Sequence, residues 1–121
     1  MKQLVLFSAL ALAACNSPAP PSGVKVIVGA KLVPAPDRPP IQYSIVVIEN
    51  GKFREVGPQA FIPVPKGAEI IGGLGMTIEP APLGTPIEPG RPADLVLRAS
   101  ESKAEGKEAP PRFMHNGEWI P

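Results

Sequence analysis

Apolar and polar positions change rhythm several times along this chain, and each change marks a short extended element. From residue 24 the chain reads Val-Lys-Val-Ile-Val-Gly-Ala-Lys-Leu-Val. Side chains alternate along a strand, so Val24, Val26 and Val28 fall on one face and Lys25 and Ile27 on the other. This predicts a first strand region over 24–33. Gly29-Ala30 interrupts it and points to a bulge or a close backbone approach. A proline-rich loop over 34–40 leads to a second strand over 43–49. Its Ile45-Val46-Val47-Ile48 run is apolar on both faces and so belongs in the middle of a sheet. Asn50-Gly51 follows, the strongest short-range hairpin signal, because a type I′ turn needs two residues at positive φ. The chain returns over 52–56, with Phe53 and Glu55 expected on one face and Lys52, Arg54 and Val56 on the other. Gly57-Pro58 ends that strand.

Further along, residues 60–66 read as a loop, and short strands are expected over 68–71 and 76–79 on either side of Gly72-Gly73. Pro80, Pro82 and Pro86 are expected to forbid regular pairing. Gly90 marks a tight turn whose flanking Glu88 and Arg91 are placed to pair. A buried strand over 93–99 contains Leu95-Val96-Leu97. Residues 100–111 are charged, small and proline-terminated, and read as an exposed flexible loop. Residues 112–120 form a second hairpin, Phe113-Met114-His115 and Glu118-Trp119-Ile120 around Asn116-Gly117. No helix longer than a turn or two is expected. The fold class is all-β: a small β-sandwich of about seven short strands built from two sequence segments. It has one apolar core, with Phe53 and Trp119 as its larger members.

Composition narrows this picture. The 121 residues suffice for one small domain and cannot hold a (β/α)₈ barrel, which needs roughly 250 residues. Twelve Lys+Arg against 11 Asp+Glu leave a net charge of +1, and no basic stripe points to a nucleic-acid partner. The 18 prolines are about three times ordinary usage and favour short strands joined by stiff turns.

The N-terminus is patterned differently from the rest. Lys2 precedes an apolar run over 4–12 that is too short to span a bilayer as an ordinary transmembrane helix. Ala13 and Ala14 lead to Cys15, the single cysteine. Leu12-Ala13-Ala14-Cys15 resembles a bacterial lipobox, in which the chain is cut between the residues matching Ala14 and Cys15 and the cysteine is lipidated. An ordinary secretory signal followed by an unrelated cysteine would share the apolar run, but the cysteine stands where the motif needs it. This divides the chain into a signal peptide (1–14), a lipidated Cys and Pro-rich tether (15–23) and a sandwich domain (24–121). One cysteine allows no internal disulfide. The expected location is the bacterial cell envelope, attached to membrane through lipid on Cys15. Asn16 in place of an aspartate favours the periplasmic face of an outer membrane where the cell has one.

The ordered set of elements resembles the amidohydrolase superfamily, metal-dependent hydrolases in which two sequence segments build a composite sandwich around a catalytic barrel. The resemblance rests on Val26-Ile27-Val28-Gly29-Ala30-Lys31-Leu32-Val33, the hairpin around Asn50-Gly51, Ile62-Pro63-Val64-Pro65-Lys66-Gly67-Ala68-Glu69-Ile70-Ile71, and Gly75-Met76-Thr77-Ile78-Glu79-Pro80. The far segment is Gly84-Thr85-Pro86-Ile87-Glu88-Pro89-Gly90-Arg91-Pro92-Ala93-Asp94-Leu95-Val96-Leu97, and the last hairpin is similar to the family's closing strand pair. It covers nearly the whole chain after the tether. The family's chemistry would be hydrolysis of carbon–nitrogen non-peptide bonds. In the family, the strand matching Gly75 to Pro80 runs into the barrel and its metal-binding His-x-His. Here Ala81-Pro82-Leu83 leads straight to Gly84.

Site chemistry is correspondingly thin. A hydrolytic zinc site takes about three protein ligands and an open position, whereas His115 is the only histidine. No metal, cofactor or catalytic residue is assigned. Asp94, beside a buried strand, is read as an acceptor for turn N–H groups rather than a base. His115 is read as a surface or half-buried strand residue. Asn50, Gly51, Gly90, Asp94, Asn116 and Gly117 are structural turn residues. Gly72-Gly73 with Gly75 is not a phosphate loop, because no helix or lysine follows at the needed spacing. The expected function is a membrane-anchored, non-catalytic binding or interaction module, not an enzyme by itself, with an envelope protein as a possible partner. The alternative is an accessory domain whose barrel is supplied by a separate chain. A third reading, the remnant of a larger enzyme, fits less well with a clean deletion and a signal of its own.

Overall fold

A computed structural model describes residues 23–82, 84–99 and 110–121. The expected signal, Ala14, Cys15, the tether up to residue 22 and most of the 100–111 loop lie outside the described residues. Those described form nine strands and no helix: β1 (Val24–Val28), β2 (Lys31–Leu32), β3 (Ser44–Glu49), β4 (Lys52–Pro58), β5 (Glu69–Gly72), β6 (Met76–Pro80), β7 (Leu95–Ala99), β8 (Arg112–His115) and β9 (Glu118–Ile120). The fold is all-β, with more and shorter strands than the seven or so expected. The first sheet has the order β4-β3-β1-β5 and the second β2-β6-β7-β8-β9.

The extra strand arises because the apolar run over 24–33 belongs to two sheets. β1 lies in the first, between β3 and β5, and β2 lies in the second, beside β6. The chain bends between them at Gly29, whose φ of 97° is open to glycine at no steric cost. Residues 69–80 do the same a second time. β5 runs parallel to β1, and β6 runs parallel to β2. The two bends touch: a Cβ on Gly73 would stand 2.9 Å from the Ala30 Cβ and 3.1 Å from Ile27 Cγ2. The close approach expected at Gly29-Ala30 is therefore a corner at which two strands change sheets together. Ser44, the one buried polar side chain among the described residues, holds this corner. Its Oγ and its backbone N–H both donate to the Ala30 carbonyl, at 2.8 and 2.9 Å.

Most buried apolar side chains meet between the sheets. Ile27, Val46, Ile48 and Phe53 come from the first sheet, and Leu32, Ile78, Leu95, Leu97 and Met114 from the second. Each such side chain contributes about 1.5–3 kcal/mol on leaving water. A single core was expected, but a second cluster of Val24, Val26, Ile45 and Val47 sits on the outer face of the first sheet, with Ile62 and Ala68 packed on it. It exists because β1 and β3 are apolar on both faces and the loop between β4 and β5 lies across them. Trp119, expected in the core, is half-buried at its margin, with the Arg112 guanidinium 4.1 Å from its ring centre.

The alternation expected in β4 fails for a local reason. Val47 pairs with Glu55 but Ile48 pairs with Phe53, so Arg54 is an extra residue in the ladder. This bulge returns the next apolar residue to the same face, and Phe53 and Val56 both reach the main core.

The proline-rich stretch closes the sandwich without a strand. β6 pairs directly with β7, from Met76 opposite Ala99 to Pro80 opposite Leu95, so Pro80, expected to forbid regular pairing, is instead the last residue of the ladder, where its missing N–H interrupts nothing further along. Between them, Ile87 is buried in the main core, and its N–H donates to the Pro34 carbonyl at 2.9 Å. Glu88 to Arg91 make a turn closed by the Arg91 N–H on the Glu88 carbonyl at 3.2 Å. Gly90 occupies its third position at a φ of 92°, which a type II turn reserves for glycine. The side chains of Glu88 and Arg91 do not pair; Glu88 faces Arg38 at 3.5 Å instead, because the turn carries Arg91 on towards β4.

Candidate functional site

The turn residues singled out from the sequence come together in one place. Asn50 and Gly51 have φ of 56° and 77°, and Asn116 and Gly117 have 49° and 83°, so each pair sits in the left-handed backbone that a two-residue hairpin needs. The two turns pack on each other so closely that a Cβ on Gly117 would lie 2.9 Å from the Gly51 Cα. Ala93 joins them: its N–H donates to the Gly51 carbonyl at 2.8 Å, and its carbonyl accepts from the Gly117 N–H at 3.0 Å. Gly90 is tied in through its N–H to the Phe53 carbonyl at 2.8 Å.

Asp94 completes the junction. Its Oδ1 accepts the Asn116 backbone N–H at 2.8 Å and lies 3.0 Å from His115 Nδ1. The carboxylate thus caps the turn of the last hairpin, not the entry of its own strand. It is only 16% exposed, whereas His115 is 66% exposed. On the other side of the ring, His115 Nε2 is 3.2 Å from Asn116 Nδ2. An aspartate orienting a histidine is one half of a nucleophilic arrangement, and among the described residues the side-chain partners of the ring are Asp94 and Asn116, with no serine, threonine or cysteine between them. Among the described residues no three His, Cys, Asp or Glu side chains gather closely enough to hold a metal ion. Next to the junction lies an open hollow of about 420 Å³ lined by Asn50, Gly51, Lys52, Pro92, Asn116 and Glu118.

A second hollow, of about 350 Å³, lies at the corner where the strands change sheets. Lys31, Gln42, Tyr43, Leu74 and Met76 line it, together with Gly29 and Gly75. Tyr43 and Leu74 are 62% and 73% exposed. Ion pairs take up several cations elsewhere: Arg54 with Glu49 at 3.0 Å, Arg98 with Glu79 at 3.3 Å, and Lys25 with Glu118 at 4.0 Å. Lys31 has no such partner among the described residues. None of these corner residues was a candidate from sequence. The available signal was the break at Gly29-Ala30, which located the corner but not the side chains it presents.

No protein-family model matches the chain, and a search of curated proteins finds no significant match.

Proposed function

We propose that this chain is a membrane-anchored, non-catalytic, amidohydrolase-like β-sandwich that serves as a binding or interaction module in the cell envelope. The direct ladder between β6 and β7 carries the reading. It spans the point where the family would insert its barrel, from Met76 opposite Ala99 to Pro80 opposite Leu95. The intervening segment contributes Ile87 to the core. A chain closed in this way has no need of a barrel to bury its apolar surface. The proposed lipid on Cys15 and the tether of 15–23 would hold the sandwich within roughly 30 Å of the membrane, at about 3.1 Å per extended residue.

Two measurements test this. Cys15→Ala should move the chain from the membrane fraction to the soluble fraction and abolish labelling by a clickable fatty acid; retention of the label would sink the anchoring claim. The full chain, incubated with zinc and amide or cyclic-imide substrates, should show no hydrolysis above buffer. Turnover there would make it an enzyme.

A second reading, an accessory domain that docks on a separate barrel chain, draws on one observation. Ile70 stands beside Val26 on the outer face of the first sheet and is exposed, as are Phe61 and Val64 in the loop that crosses that face. Affinity capture of the tagged chain from envelope extracts separates the two. A barrel-type hydrolase recovered in stoichiometric amount favours docking, and any other partner favours the binding module.

A further inference from the structure

Backbone conformation at the corner points to a ligand. Eleven described residues have positive φ: eight are glycine, two are the turn asparagines, and the last is Tyr43 at 50°. Glycine is at ease there and asparagine is tolerated, whereas a bulky L-residue costs about 1–2 kcal/mol. The conformation of Tyr43 is imposed from both sides. Before it, Ile41 exchanges two backbone hydrogen bonds with Leu32, each of 2.8 Å; after it, the Tyr43 carbonyl accepts the Gln59 N–H at 3.0 Å and Ser44 is tied to Ala30. Any residue at this position would be held in the same conformation, and glycine or asparagine would suit it better. Nor does burial offset the strain, because the ring is largely exposed. A strained side chain that does little for the fold is a pointer to function.

The same corner exposes a second large apolar side chain from a fixed backbone. Leu74 lies between Gly73 and Gly75, and its backbone N would be 3.4 Å from a Cβ on Gly29. Tyr43 and Leu74 line one hollow, together with Met76, Gln42 and Lys31. An aromatic ring, two flexible apolar side chains and one cation with no carboxylate partner among the described residues are complementary to a small molecule with an apolar body and a carboxylate head. The volume, about 350 Å³, is at the small end for ligand clefts and suits a compact acid. We infer that the Tyr43–Leu74 cleft binds a short-chain apolar carboxylic acid, with Lys31 on the carboxylate and Tyr43, Leu74 and Met76 along the chain. The inference deepens the reading of this protein as a binding module and is independent of the lipid on Cys15.

The test is equilibrium dialysis of radiolabelled hexanoate against the full chain in phosphatidylcholine nanodiscs, with empty nanodiscs as the reference. Saturable binding is expected, competed by excess unlabelled hexanoate but not by hexanol or acetate, which lack the head or the body. Lys31→Met and Tyr43→Asn should each weaken binding by about tenfold, or about 1.4 kcal/mol. Lys52→Met, at the turn junction, should leave it unchanged. Tyr43→Asn also keeps the test clear of misfolding, because asparagine suits the backbone and its melting temperature should equal or exceed that of the parent. Absence of saturable hexanoate binding overturns the inference, as does binding indifferent to Lys31 and Tyr43. So does a cleft that takes only a leucine-terminated peptide with a free carboxylate. Partner capture from envelope extracts bears on the module reading separately, so failure of either is distinguishable from failure of the other.

Discussion

At the turn junction, Gly117 meets Gly51 so closely that a Cβ on Gly117 would fall 2.9 Å from the Gly51 Cα; at the corner, Gly73 meets Ala30 with the same 2.9 Å clearance from a built Cβ. The backbones are equally tight, yet the two regions face solvent differently. Left-handed positions at the junction carry asparagine and glycine, which put little or nothing apolar into water. At the corner one of them carries tyrosine, and a leucine stands exposed across the same hollow. Exposure of large apolar side chains here does not follow from loose chain. It follows from which residue is placed on a rigid support, and that separates a junction that serves folding from a corner that also presents chemistry.

Substitutions can break the comparison at either side. Gly117→Val puts a β-branched residue at a φ of 83° and drives its Cβ into Gly51. Adding about 1–2 kcal/mol for the left-handed backbone to about 1–3 for the overlap, it should lose roughly 2–5 kcal/mol in urea unfolding. Gly73→Ala adds one methyl against Ala30 and Ile27 without a positive φ, so about 1–3 kcal/mol is expected by the same measurement. A larger loss at Gly73 than at Gly117 would reverse the ranking of the two regions. Asp94→Ala removes the acceptor of the Asn116 N–H and should cost about 1 kcal/mol, with the Asn116 amide exchanging faster with solvent by NMR. Smallest of all, Tyr43→Asn should change stability by less than about 1 kcal/mol, towards greater stability. A clear destabilisation there would show that the ring supports the fold after all.

Both hairpin turns were legible because Asn-Gly names its own backbone conformation, and so was the role of Asp94 as an acceptor for turn N–H groups, though not which turn it would cap. The central place of β3 followed from an apolar run with no polar face. What escaped prediction depends on partners distant in the chain. The bulge at Arg54 is set by register against Val47 and Ile48, and alternation read within β4 alone placed Val56 on the wrong face. Gly29-Ala30 announced a break, but only residues 69–80 lying alongside turn that break into a passage between sheets. Ile87, in a stretch dense with proline, has no periodic neighbours to mark it as core. In the sequence Tyr43 reads as the first residue of a regular strand, since nothing in its neighbours signals a left-handed backbone. The corner hollow was hidden for that reason.

The passage of two neighbouring strands from one sheet to the other has a consequence for how the molecule comes apart. The β1–β2 and β5–β6 segments each contribute to both sheets, so neither sheet can be peeled away as a separate foldon while the other keeps its edge. Slowly exchanging amides such as those of Val26 in the first sheet and Ile78 in the second should therefore report the same opening free energy in native-state hydrogen exchange. Cooperativity of this kind makes the corner a lever: whatever seats itself beside Tyr43 would raise the melting point of the whole sandwich rather than quieten one loop.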